Sequence, residues 1–273
     1  MVTRRAMIAG VAGLAGSIGL LGLPGVADAH GRPWHGWWGH HHPPHQPVPP
    51  PAPPASDGGD SPATILAVAA TAEVLATIVN TIGWQKIVDG SITADAVTKR
   101  NIAAAAREEL IHYNVLVASG GVPLTKSIWV PDAVFADASG LLNTLQVGDQ
   151  IFVNAYLLAT LRFAQLGNPG LAVTAAEFMG VEAVHRALAR QSLGQLGNDR
   201  VFMKLDQPET APGAPNQGQP GFLKVMDAAA QLQAAGFGFG AQGATPGAFY
   251  DFDAVSANTP TDPDLNTLAP AMG

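Results

Sequence analysis

The chain has 273 residues, 47% apolar and only 13% charged, enough for one mid-sized domain with a sizeable core plus tails. It contains no cysteine, which excludes disulfides, zinc–thiolate sites and thiol catalysis. Its formal net charge of −7 argues against nucleic acid and anionic membrane surfaces as partners.

Residues 1–29 read as a targeting segment. Thr3-Arg4-Arg5-Ala6-Met7-Ile8 resembles a twin-arginine export signal. A Gly- and Ala-rich apolar run follows, then the cleavage pattern Ala27-Asp28-Ala29. The expectation is passage through the twin-arginine machinery, cleavage, and no stable membrane span afterwards, so that the protein ends in the periplasm, the cell envelope or the medium. The competing reading is an uncleaved anchor, because the apolar run is nearly long enough to span. What is known of this export route implies cargo that is already folded, often with a cofactor loaded.

Residues 30–60 are Pro-rich, stiff and unable to build a core, and are expected to form a disordered linker. They hold His30, His35, His40, His41, His42 and His45, six of the eight histidines. This tail reads either as a loose metal-binding segment, with His30 a copper chelator if it becomes the N-terminus, or as a solvated spacer.

From Ser61 the pattern turns helical. Ser61 caps a first helix that runs from Pro62 to about Ile82. Thr93 is expected to cap a second, which ends before Gly120-Gly121. A Pro-containing connection follows over 120–132. The third helix is expected from about Gly140 to Leu166, stopping at Gly167. Asn168-Pro169 opens the fourth, which ends near Gly194. Residues 61–198 thus predict an all-α fold: a four-helix bundle with short loops inside each half and a long crossover between helices 2 and 3, the ferritin-like connectivity. Residues 199–273 read as an irregular extension with one further helix at about 220–235 and no visible chemistry.

Only two histidines lie outside the tail, and each has Glu three residues before it: Glu109 and His112 on helix 2, Glu182 and His185 on helix 4. With six glutamates in the chain, chance would place one three residues before a given histidine roughly 2% of the time, and i,i+3 spacing puts both groups on one helix face. Ile102, Ala105 and Ala106 share that face on helix 2, and Phe178, Met179 and Leu188 on helix 4, so both pairs point toward the core. Burying unpaired carboxylates costs several kcal/mol, about enough that proteins pair them, protonate them or bind them to metal. Arg107 lies about 160° of helical rotation from Glu109's face and cannot serve. Helix 1 offers a single acid, Glu73, and helix 3 a single acid, Asp149. The separations agree: 36 residues from Glu73 to Glu109 and 33 from Asp149 to Glu182. Each half therefore reads acid, then acid-x-x-His, the pattern of a carboxylate-bridged dimetal centre. Tyr113 and Tyr156 read as packing residues, and Glu108 and Glu177 as solvated-face residues. Haem is a rival ligand for two facing histidines, disfavoured by four carboxylates in the same core.

On the two E-x-x-H pairs, the lone acids and the run DQIFVNAY, residues 61–196 resemble the ferritin-like superfamily, within it the exported ferritin-like domain proteins related to plant desiccation-associated proteins. Two departures matter. The helix-3 acid is usually Glu in the family and is Asp149 here, one methylene shorter; Asn80 stands where many relatives carry Tyr. A one-metal or asymmetric site therefore stays open. The resemblance implies reaction of ferrous iron with dioxygen or peroxide. Oxygen and nitrogen donors without thiolate suit iron or manganese, and zinc could occupy the site adventitiously. The expected function is an exported dimetal protein that oxidises or sequesters iron or removes peroxide, in a ferroxidase- or catalase-like reaction. The alternatives are a non-catalytic envelope or stress-related module with a vestigial site, and metal handling by the His-rich tail.

Overall fold

The computed structural model describes residues 60–199, the short strands at 203–204 and 219–220, residues 224–262, and Leu265. The expected signal segment and nearly all of the His/Pro-rich segment lie outside the described residues. The described chain is mostly helical, with a small three-stranded sheet that the all-α expectation lacked.

Helix α1 spans Pro62–Val88, longer than expected. Ser61 caps it, its hydroxyl accepting from the Thr64 amide at 3.1 Å. It runs straight through Gly83, past the expected end at about Ile82. A Cβ on Gly83 would lie 2.8 Å from both Cδ atoms of Leu141, so this glycine lets two helices approach closely. The chain instead turns at Gly90, in the left-handed region at φ 85°. By length and composition α1 could cross a membrane, with a mean hydropathy of 1.9. Here it is the central helix of the core, with Ile65, Ala70, Val74 and Ile78 at most 1% exposed.

Helix α2 spans Ala96–Ala118. Its cap is Asp95, not Thr93: Asp95 Oδ1 accepts from the Val97 and Thr98 amides at 2.8 and 2.9 Å, a charged acceptor at the positive end of the helix. Helix α3 covers Ala138–Gln165 behind an Asp137 cap, and α4 covers Pro169–Ser192. The pairs α1–α2 and α3–α4 are joined by short loops, and all four helices pack around one core.

The crossover between α2 and α3 is not irregular. It carries strand β1 (Ser127–Pro131) and a 3-10 turn (Asp132–Phe135). After the two-residue strands β2 (Met203–Lys204) and β3 (Gln219–Pro220) come helix α5 (Met226–Ala234), β4 (Gly238–Phe239), β5 (Gly247–Asp251) and helix α6 (Phe252–Ser256). The expected helix at 220–235 is thus shorter, and the described part of the extension also carries four short strands and helix α6. Strand β1 sits between β4 and β5, antiparallel to both, with Ile128 opposite Phe239 and Tyr250 and Trp129 opposite Phe249. Trp129 Nε1 donates to the Thr245 carbonyl at 3.0 Å. The C-terminal segment closes on the helices: Phe252 packs on Tyr113 at 4.3 Å between ring centroids, and the Thr259 hydroxyl meets that of Thr81 at 3.1 Å.

Candidate metal centre

Four helices bring all six sequence-derived site residues to one place. α1 supplies Glu73, α2 Glu109 and His112, α3 Asp149, and α4 Glu182 and His185. The three glutamates are fully buried, and His112, Asp149 and His185 are at most 8% exposed. They fall into two groups whose ligand atoms all lie within 4.8 Å of one another: Glu73, Glu109, His112 and Glu182; and Glu109, Asp149, Glu182 and His185.

Glu109 and Glu182 belong to both groups, and their oxygens divide between them. Glu109 turns Oε2 toward His112 Nδ1 at 3.4 Å and Oε1 toward His185 Nδ1 at 3.1 Å. Glu182 turns Oε1 toward His112 Nδ1 at 3.2 Å and Oε2 toward His185 Nδ1 at 3.6 Å. Glu73 Oε2 completes the first group, 3.6 Å from His112 Nδ1. Asp149 is drawn into the second group despite its shorter side chain.

These facing atoms are not hydrogen-bonded to each other. Glu73 Oε2, both oxygens of Glu109 and of Glu182, Asp149 Oδ2, and Nδ1 of His112 and of His185 are all buried without a hydrogen bond. Eight orphaned atoms around one point is a large desolvation cost for a chain to leave standing. The donor set fits two divalent cations. Four carboxylates balance two double charges with both imidazoles neutral. A cation with ligand distances of about 2.1 Å sets its ligands roughly 3.0 to 3.4 Å apart along octahedral or tetrahedral edges, close to the 3.1 to 3.6 Å separations here.

Without cations, the same crowding is relieved by protons. Burial pushes the Glu73 carboxyl up to about 7, with the Glu109 charge adding to it and His112 opposing. Burial and the neighbouring Glu182 hold Asp149 well above the usual carboxylate range. For the histidines, burial works against the charged form but is outweighed. Glu73, Glu109 and Glu182 raise His112, and Glu108, Glu109 and Glu182 raise His185, each well above an ordinary imidazole.

Two residues near the ligands have roles that the sequence reading missed. Glu108 is not simply a solvated-face residue: its Oε2 lies 2.6 Å from Nε2 of His185. Tyr156 does more than pack, because its hydroxyl donates to Glu73 Oε1. Burial, then the Glu73 charge, holds that phenol well above its usual range. The signal for Tyr156 was its place on the Asp149 face of α3; for Glu108, an acid next to a ligand on a helix that faces another. Phe178, expected on the inner face, stacks on the His112 ring at 4.0 Å and meets Tyr156 edge-on at 5.5 Å. Arg107 faces away as expected and donates to the Asp262 carbonyl. Arg186 is a buried cation that the sequence reading did not anticipate; its guanidinium donates to the Asp199 carbonyl at 2.9 Å.

Comparison of the chain with protein-family models, with curated proteins and with solved structures finds no match. The functional reading therefore rests on these side chains.

Proposed function

We propose that the chain is a ferritin-like four-helix-bundle protein whose buried carboxylate and histidine cluster holds two divalent iron or manganese ions. Glu73, Glu109, Glu182 and His112 would hold one ion, and Glu109, Asp149, Glu182 and His185 the other, with Glu109 and Glu182 shared. The observation that carries this reading is the set of eight buried ligand atoms that make no hydrogen bond and divide into two overlapping groups. A haem would use the two imidazoles alone and would leave the buried carboxylate oxygens between them without ligands.

Iron or manganese held there supplies redox exchange with dioxygen or peroxide, and ferrous iron is equally a substrate to be oxidised and sequestered. Zinc fits the same donors without that chemistry. The chain's own residues set the conditions. Glu108 accepts from His185 Nε2–H and so keeps Nδ1 free toward the centre. Phe178 fixes the His112 ring by stacking, and Tyr156 orients Glu73 through its hydroxyl. Apolar neighbours such as Phe178, Ile102 and Phe152 keep bulk water out. The arginine pair and the A-x-A pattern near the N-terminus support export as the setting, with protection of the envelope from iron or peroxide as the role.

The deciding measurement is elemental analysis of the full chain purified from its exporting host. About two iron or manganese ions per chain are expected, lost in Glu109→Ala and kept when residues 30–60 are deleted. Metal that disappears only with that deletion would assign metal handling to the tail. A chain devoid of metal in every form would leave a structural module with a vestigial site.

A further inference from the structure

The two halves of the bundle correspond residue by residue. Glu73 matches Asp149, Glu109 matches Glu182, and His112 matches His185. Seven residues after the α3 acid comes Tyr156, and seven after the α1 acid comes Asn80. Four residues before Glu182 comes Phe178, and four before Glu109 comes Ala105. One half therefore carries two aromatic rings where the other carries an amide and a methyl group.

The aromatic pair closes the His112 side of the centre. Phe178 stacks on the His112 ring and meets Tyr156 edge-on, and Tyr156 reaches across to donate to Glu73 Oε1. The counterparts of that pair lie on the His185 side, where Asn80 and Ala105 line a crevice of about 20 Å³ together with Asp149 and His185. Asn80 does not reach across as Tyr156 does. Its amide is turned back on its own helix, Nδ2 donating to the Ala76 carbonyl at 3.1 Å. The crevice extends between α2 and α4 to Asn101 and Ser192, both half-buried. Ser192 lies about 10 Å along α4 from His185, at 1.5 Å per residue. A cavity of about 320 Å³ also reaches Asn80 and Asp149, from the α5 side.

The ligand atoms register the difference. Glu73, Glu109 and Glu182 are fully buried, whereas Asp149 is 5% and His185 8% exposed. Of the oxygens on the four carboxylates, six are sealed without a hydrogen bond, and Glu73 Oε1 accepts from Tyr156. Asp149 Oδ1 is the one that remains: it is not sealed, and among the described residues nothing donates to it. Asp149 thus lacks the phenol that its counterpart Glu73 has, and the space of that phenol is the crevice. Room for roughly one or two water-sized molecules limits what enters to about three heavy atoms.

We propose that the His185 position is the open one of the two, taking a small exogenous oxygen or nitrogen donor beside Asn80 and Ala105, while the His112 position takes none. The assignment rests on the dimetal reading. Asn80 and Ala105 are then the residues that set where an outside molecule meets the centre, although neither is a ligand. Their small size leaves the approach to Asp149 and His185 free, and the rings of Tyr156 and Phe178 deny it to Glu73 and His112.

The test loads the full chain with Co(II), whose visible bands report metal uptake, and titrates it with azide, followed by its charge-transfer absorption. About one azide per pair of cobalt ions is expected. Asn80→Tyr, which supplies the missing ring, should weaken azide by about tenfold or more with both cobalt ions retained. Ala105→Leu, which fills the crevice from α2, should do the same. An azide for each cobalt ion, or none on a wild-type chain that holds both, overturns the open position alone. So does unchanged azide affinity in either variant. Where a variant fails to hold cobalt, the other variant and the wild-type ratio decide. A wild-type chain that takes up no cobalt overturns the dimetal reading, and the open position with it.

Discussion

Glu108 and His185 face each other across two helices, with Glu108 Oε2 2.6 Å from Nε2 of the imidazole. The other nitrogen of the same ring, Nδ1, is 3.1 Å from Glu109 Oε1. Two consecutive glutamates on α2, about 100° apart around the helix, thus address opposite sides of one ring on α4. Glu108 is a third exposed and Glu109 fully buried, so one carboxylate faces water and the other the centre. This carboxylate–imidazole contact fixes which nitrogen carries the proton. His112 is held differently, by stacking on Phe178 at 4.0 Å. The two ligand groups are related in plan but not in support.

That difference predicts unequal metal affinities after mutation. Glu108→Ala should lower affinity at the His185 group by about 10- to 100-fold, the usual effect of losing a ligand's outer partner. The His112 group should keep its affinity. Glu108→Gln, whose amide oxygen still accepts from Nε2–H, should recover most of the loss. Stepwise Mn(II) titration followed by electron paramagnetic resonance separates the two sites. Equal weakening of both sites would show that Glu108 acts on the helix packing and not on His185.

The metal-free chain should lose stability as pH rises. Glu73, raised to about 7, and Asp149, raised well above its usual range, hold protons in the fold that they release when unfolded. The raised imidazoles of His112 and His185 act in the same direction. The folded state therefore binds more protons than the unfolded state, and stability falls with pH. The Glu73 contribution is full below about 4.5 and is lost as pH rises through about 7. Divalent metal replaces those protons, so its stabilisation should grow over the same interval, with protons released on binding. Melting temperatures in EDTA and in excess Mn(II) between pH 5 and pH 8 (roughly the span of these shifts) should diverge as pH increases. Parallel curves would count against proton–metal exchange at this cluster.

The sequence revealed the six ligands because each had little freedom. Spacing of i,i+3 fixes Glu109 with His112 and Glu182 with His185 on one face whatever the tertiary structure. Glu73 and Asp149 are each the lone acid of their helix. Glu108 was not legible, since its role depends on how α4 lies beside α2. The first helix was expected to end near Ile82, because local propensity cannot register that Gly83 packs against Leu141, 58 residues later in the chain. The sheet was hidden for the same reason. β1 is five residues long and ends in proline, and its partners β4 and β5 lie more than 100 residues away, beyond any local periodicity. Short strands declare themselves only through such distant pairings.

Tyr156→Phe should destabilise the metal-free protein by about 1 to 3 kcal/mol, because the lost hydroxyl leaves Glu73 Oε1 buried without a donor. The ring's packing on Phe178 is retained in the variant, so the change isolates the hydrogen bond. Urea denaturation in EDTA reads the difference. A change within error of zero would mean that a proton on Glu73 or a water replaces the phenol without cost.

Two glycines in long helices should respond oppositely to alanine. By helix propensity alone each change stabilises by about 0.8 to 1 kcal/mol. At Gly148 nothing lies within 4 Å of the new Cβ, so Gly148→Ala should realise most of that gain. At Gly83 the new Cβ would sit 2.8 Å from both Cδ atoms of Leu141, itself fully buried and unable to swing into solvent. Overpacking of this kind costs about 1 to 3 kcal/mol, which exceeds the propensity gain. Gly83→Ala should therefore be net destabilising, by about 1 kcal/mol. Combining it with Leu141→Val should cost less than the sum of the two changes, since the smaller side chain relieves the clash. Urea midpoints of the two alanine variants moving in the same direction would show that α1 and α3 can separate at Gly83. The close approach that brings Glu73 and Asp149 together from these two helices would then be softer than the packing at Leu141 implies.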